Sequence, residues 1–235
     1  MSWGVVAAPE PVEGRAPEAG RLEPALQQLA GWQGAWPPHR PTSVRAVLLA
    51  DAGSIEDGRA RADDAVDSGA DLLMVQGGGD PVEGLLVIAV LLDLEPVRAI
   101  GTAPGEEWLR QTVAVRDGLR TGRAHRGNPV ALLDAVGATA VAAGAGLLAQ
   151  AATRRTPVLL DGSAVVAAAA LCAGRLAPGA ARWWLAGTTP PAPAAVEAHR
   201  ELTLVPLLDL GLGGPEGASI ALSVLEQACD LVERG

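Results

Sequence analysis

Six short apolar runs set the rhythm of the chain, at 44–50, 70–75, 97–100, 157–160, 183–186 and 205–212. Stretches with helical spacing of apolar residues lie between most of them, at 60–68, 84–92, 106–119, 130–136, 138–153 and 164–172. None of the runs alternates strictly between apolar and polar positions. Continuous apolar runs of this length read as strands buried on both faces. Strands interleaved with helices predict a three-layer α/β domain, with a mainly parallel sheet of about six strands covered on both sides. The runs end in Gly, Asp or Thr, so the loops 51–54, 76–80, 101–105, 161–163, 187–190 and 211–217 should gather at the carboxyl edge, where open α/β sheets bind ligands. Residues 1–19 carry little apolar pattern and read as a loose tail. Residues 20–235 read as a single domain that opens with a helix, near 22–29, and a proline-rich linker ending at 43.

The chemistry sits in those loops. Gly77, Gly78 and Gly79 follow the second run and could cradle a phosphate on backbone N–H groups, although neither GxGxxG nor a following Lys-Ser/Thr is present. Gly101 and Thr102 precede a helix and offer a similar anion site, or a simple turn. Asp161 and Gly162 lie between a strand and a helix. There Asp161 could hold a ribose hydroxyl or order the turn, and Ser163 caps the helix. After the last run come Asp209 and four glycines, Gly211, Gly213, Gly214 and Gly217, with Glu216 among them and a helical pattern from about Ala218. Glycine lets the backbone approach a ligand closely. Glu216 is therefore either a general base or a solvated carboxylate favoured by the helix N-terminus behind it.

Composition narrows the functions. The chain has 235 residues, of which 49% are hydrophobic but only 3% aromatic, all tryptophan. The core must be built from Ala, Val and Leu, with Trp183 and Trp184 inside it. All 18 basic residues are arginine, so lysine-dependent chemistry is excluded. A net charge of -9 without any arginine cluster argues against nucleic acid as partner. Arg154 and Arg155 precede a strand and belong to the edge opposite the loops. His39, His125 and His199 lack metal-ligand spacing, so no metal or other cofactor is expected. Cys172 and Cys229 lie in alanine-rich helical patterns and read as buried free thiols in a reducing compartment. No secretory leader pattern opens the sequence, and Gly and Pro interrupt its alanine-rich runs. The expectation is a cytoplasmic protein that neither spans nor binds a membrane.

Several segments, in this order, resemble the nicotinate-nucleotide:dimethylbenzimidazole phosphoribosyltransferase family of cobalamin biosynthesis. They are Gly20-Arg21-Leu22-Glu23 with Gln28-Leu29-Ala30-Gly31, then Pro157 to Gly162 (PVLLDG) with the alanines 167–170, and finally Pro206 to Leu212 (PLLDLGL) with Glu216-Gly217. The resemblance implies a Rossmann-like fold, usually dimeric. It also implies transfer of phosphoribose from nicotinate mononucleotide to an aromatic base, giving α-ribazole 5′-phosphate. With the register set by Pro206 to Leu212, Glu216 falls on the family's catalytic glutamate; a register set from Leu225-Glu226 puts Pro215 or a neighbour there.

Departures from the family are concentrated at its functional positions. A segment on the order of a hundred residues is missing after Asp51, which brings the chain toward the low end of single α/β domains. The family's histidine after the first strand is absent from Ala50-Asp51-Ala52-Gly53-Ser54. Its lysine falls on Thr112, and its second glutamate is lost from Gly77-Gly78-Gly79-Asp80-Pro81-Val82-Glu83. Any phosphate should consequently rest on backbone N–H groups near Gly78, Gly101 or Gly214. A homodimer, or a heterodimer with a full-length homologue, is expected. The alternative to catalysis is a non-catalytic relative that binds a nucleotide or regulates such a homologue.

Overall fold

The computed structural model describes residues 3–49 and 53–234. Five parallel strands form one sheet: β1 Val44–Leu49, β2 Leu72–Gly77, β3 Val158–Leu160, β4 Trp184–Thr188 and β5 Pro206–Leu208. Ten α-helices accompany them among the described residues: α1 Glu23–Gln33, α2 Ile55–Asp67, α3 Pro81–Leu92, α4 Pro96–Ile100, α5 Gly105–Gly122, α6 Pro129–Val136, α7 Thr139–Thr153, α8 Ala164–Leu176, α9 Pro193–Glu201 and α10 Gly214–Glu233.

The strand order is β1-β2-β3-β4-β5, with no reversal. Right-handed crossovers in such a sheet put every connecting helix on the same face. The two cores agree with this. One packs Leu73, Val75, Val158 and Leu160 against α2 to α9. The other packs Leu72, Met74, Leu159 and Leu185 against α1 and α10. Neighbouring strand residues thus feed opposite faces, and both faces are apolar, which is why the runs carry no polar alternation.

One expected strand is absent. The run 97–100 lies in α4, so the sheet has five strands and not about six. Four residues are too few for their apolar character to separate strand from helix. Pro96 at the first helical turn and Gly101 just past the end, at φ 71°, decide for helix. The sixth run also shortens: pairing stops at Leu208, and 209–213 is loop. Residues 3–16 form neither helix nor strand, yet they are held down. The Val6 N–H donates to Pro178 O at 2.8 Å, and Trp183 Nε1 donates to Ala7 O at 2.9 Å.

Alanine and glycine let the helices pack backbone to backbone. A Cβ on Gly84 of α3 would overlap the carbonyl of Ala164 at the start of α8. Gly84→Ala should therefore destabilise the fold by about 1–3 kcal/mol, despite the better helix propensity of alanine. Urea unfolding checks this, and an unchanged midpoint would show that α3 and α8 can separate freely.

His199 on α9 is 2% exposed, and neither ring nitrogen has a hydrogen-bond partner. Burial holds its pKa down, at about 4. The unfolded chain takes up a proton near pH 6.5 that the native state refuses until about pH 4, so stability is lost as pH falls through that window. The loss should reach roughly 2 kcal/mol by pH 5. Thermal melts of His199→Leu should lack this component.

Candidate functional site at the carboxyl edge

An open sheet of this kind usually binds ligand where its strand order reverses. This sheet has no such point, and its candidate site is assembled differently. From β5 the chain turns back under the sheet, and α10 packs across β2, β3 and β4. The start of α10 is thereby brought to the carboxyl end of β3.

Asp161 is the centre of that meeting. It follows β3 directly and is fully buried. Its Oδ2 accepts from the Gly77 N–H at the end of β2, at 2.7 Å. Its Oδ1 accepts from the Ser163 N–H at 2.8 Å, and the Gly214 N–H also favours the ionised carboxylate. Burial raises its pKa above the ordinary carboxylate value, against the lowering effect of the Ser163 hydroxyl and these N–H groups. Three chain segments, 77–80, 161–163 and 213–216, are fastened by one side chain.

Glycine is required around it. A Cβ on Gly77 would collide with Ser163 Oγ, the group that caps α8 through the Val166 N–H at 3.3 Å. A Cβ on Gly162 would collide with the Leu212 carbonyl. Buried Thr188, at the end of β4, donates its hydroxyl to that same carbonyl at 2.5 Å. The loop 209–213 is thus strapped down over β3 and β4.

Of the expected site residues, the structure brings together Gly77, Asp161, Gly162 and Gly214. Gly78 is half-buried, its N–H donating to Leu49 O at 3.3 Å, and Gly79 is exposed on the way into α3. Gly101 and Thr102 follow a helix instead of a strand. Gly101 lies against Pro193 at the start of α9, apart from the Asp161 cluster, and its carbonyl accepts from Trp108 Nε1 at 3.0 Å. Of the loop 51–54, residues 51 and 52 lie outside the described residues, as does Ala50.

Glu216 does not sit in a free loop. Helix α10 begins at Gly214, so Glu216 is the third residue of its first turn. It is exposed and makes no ion pair or hydrogen bond with the described residues. Glu83 is occupied elsewhere, accepting from the Val141 N–H at the start of α7 at 3.0 Å.

Arg110 of α5 pairs with Asp80, the residue that follows the glycines 77–79. Its guanidinium contacts Asp80 at 2.9 Å and Glu107 at 2.7 Å, which hold its pKa well above the usual value. Two carboxylates therefore neutralise it. Asp80 caps α3 and Ser163 caps α8, whereas Gly213, at the cap position before α10, offers no side-chain cap. Uncapped helix N-termini receive anions well. Among the described residues, no group of three or more His, Cys, Asp or Glu is placed to hold a metal ion.

Sequence reading missed Thr188 and the role of Ser163 in this centre. The only signal for Thr188 was a hydroxyl residue at the end of an apolar run.

A family model described as phosphoribosyltransferase matches residues 52–234. The nicotinate-nucleotide–dimethylbenzimidazole phosphoribosyltransferase of Mycobacterium avium (strain 104) is 46% identical over 182 residues, covering 74% of this chain and 52% of that protein. The protein of the same name from Mycobacterium tuberculosis (strain ATCC 25618 / H37Rv) is 47% identical over 184 residues, covering 75% and 51%. The chain thus spans about half the length of these curated relatives. The crystal structure of CobT from Thermus thermophilus superposes with a TM-score of 0.78 at 24% identity, covering 94% of this chain and 92% of that one.

Proposed function

The chain belongs to the phosphoribosyltransferase family whose model it matches over residues 52–234, and on that premise we propose that it moves a phosphoribosyl group from nicotinate mononucleotide to a benzimidazole-type base. One observation carries this reading: the end of β2, the turn after β3 and the start of α10 meet on Asp161, with Glu216 two residues beyond Gly214. Phosphate would lie on the backbone N–H groups of Gly79, beside Gly78, and of Glu216 in the first turn of α10, next to Gly214. Asp161 would position these segments; its oxygens are committed to backbone N–H groups, so it acts behind the substrate and not on the ribose.

Glu216 would remove the N–H proton of the base. The other ring nitrogen then forms a bond to C1′ of the ribose. The C1′–nitrogen bond of nicotinate mononucleotide breaks, and its electron pair leaves with nicotinate. The products are α-ribazole 5′-phosphate and nicotinate. Every step is acid–base and displacement chemistry at carbon, which Glu216 and the backbone can serve without lysine.

The purified chain should be incubated with nicotinate mononucleotide and 5,6-dimethylbenzimidazole and the mixture separated by chromatography. Equal amounts of a ribazole phosphate and nicotinate are expected. Absence of both from the chain alone, with no rise above a full-length relative's own rate when the two are mixed, would defeat the catalytic reading.

A second reading is favoured by the half-length match and by exposed Glu216: a non-catalytic partner of a longer family member. A cavity of about 640 Å³ borders Gly53–Ile55, beside the point where the sequence departs from the family, and Leu133, Ala138 and Ala142 line it. Under either reading the chain should associate, as a homodimer or with the longer protein. Light scattering at high concentration checks this, with a stable monomer in both mixtures counting against it. No helix among the described residues is long and apolar enough to cross a membrane. Cys172 and Cys229 are buried and unlinked, which suits action in a reducing cytoplasm.

A further inference from the structure

A second cavity, of about 570 Å³, is bordered by Asp209 at the start of the 209–213 loop. The turn Pro17–Leu22, α9, the start of the loop after β4 and the strand β5 enclose it. Strand β5 pairs with β4 alone, so its other edge is open. The wall is apolar: Leu22, Val196, Leu204 and Leu208 line it. A smaller hollow of about 270 Å³ continues along the same strand and shares Arg21 and Val205 with it.

Three polar groups on this wall differ in how far they are satisfied. Asp209 accepts from the Thr189 hydroxyl at 2.8 Å. Arg200 is paired with Glu197 at 2.7 Å. Arg21, at the mouth, makes no ion pair or side-chain hydrogen bond with any described residue. His199 also lines the cavity, 2% exposed and with both ring nitrogens unpartnered among the described residues. A buried imidazole without a partner is uncommon in a packed interior, and here it borders the hollow.

We propose that this cavity is a binding site for a small amphipathic anion, an aromatic or branched carboxylate whose body enters the apolar hollow and whose charge meets Arg21. The volume falls in the range of small-molecule sites. The apolar wall sets the affinity and Arg21 the selectivity, because an exposed cation alone attracts weakly and the net charge of -9 disfavours anions that gain nothing else. An occupant would also pack on Asp209 and Leu208, directly ahead of the loop that leads into Glu216. The site stands independently of the proposed transfer reaction.

Calorimetry on the full chain with 1-naphthoate and its neutral isostere 1-naphthamide tests the proposal without any turnover. Naphthoate should bind with one site per chain and about fivefold more tightly than naphthamide. In Arg21→Gln the preference should vanish while naphthamide binding stays unchanged. Val196→Trp, which fills the hollow, should remove binding of both. Arg21 is exposed, so Arg21→Gln should fold as the wild type does, and a melting curve confirms it. The proposal is overturned if naphthoate does not bind, if both ligands bind the wild type alike, if Arg21→Gln keeps the preference, or if inorganic phosphate displaces naphthoate at equal concentration.

Discussion

Asp161→Ala should destabilise the protein by about 3–5 kcal/mol, although the residue touches no solvent. Its carboxylate receives the N–H groups of Gly77 and Ser163, and the Gly214 N–H favours its ionised form. Alanine would leave the buried Gly77 donor and the partly buried Ser163 donor without acceptors, each costing roughly 1–3 kcal/mol. Relief of the buried charge offsets part of this, since burial already disfavours the ionised form. The orphaned donors win, because they belong to separate segments that this carboxylate holds together. Asp161→Asn should recover only part of the loss: its amide keeps one acceptor oxygen but points N–H groups at N–H groups.

The sign of the pH dependence gives a second check on Asp161. Its native pKa is raised above the unfolded value of about 3.9. The stabilisation it contributes is complete below the unfolded value and declines as pH rises through the native one. The gap between wild type and Asp161→Ala should therefore narrow with rising pH, opposite to the trend that His199 imposes. A gap under about 1 kcal/mol at every pH would mean that the three segments hold together without this side chain.

The architecture was legible where local pattern decides it. β2 and β3 are apolar runs bounded by Asp and Gly, and both appear in the sheet close to the expected positions. The run 97–100 was misread because its apolar residues outweighed Pro96 and Gly101, which are helix punctuation. The same oversight displaced the start of α10: Gly213 and Pro215 mark a helix entry ahead of Ala218. The centre on Asp161 was legible as parts but not as a whole. Gly77 and Asp161 are 84 positions apart, and only the crossover through β3 makes them neighbours. Gly101 looked equivalent to Gly77 as a glycine after an apolar run. It differs because its run became a helix, which carries it to Pro193.

Glu216→Gln should slow turnover of nicotinate mononucleotide and dimethylbenzimidazole by about 10²–10⁴-fold, the usual cost of losing a general base. The substitution keeps the shape of the side chain. It should change stability by no more than about 0.3–1 kcal/mol, the contribution of a negative charge to the first turn of α10. A large fall in rate would therefore report chemistry and not unfolding. Two effects set how good a base Glu216 is. The helix N-terminus favours its charged form by that modest amount. Burial by a bound base, or by a partner chain, can raise a carboxyl pKa by several units. Burial is the larger effect, and the isolated chain leaves Glu216 exposed. The wild-type rate should consequently depend on what covers it, and a mixture with a longer family member should exceed that member's own rate for the wild type but not for Glu216→Gln. Equal turnover by both proteins would transfer the role to another residue. Turnover by neither, under any combination, would leave the chain a non-catalytic partner, with Asp161 holding together a site whose chemistry has been lost.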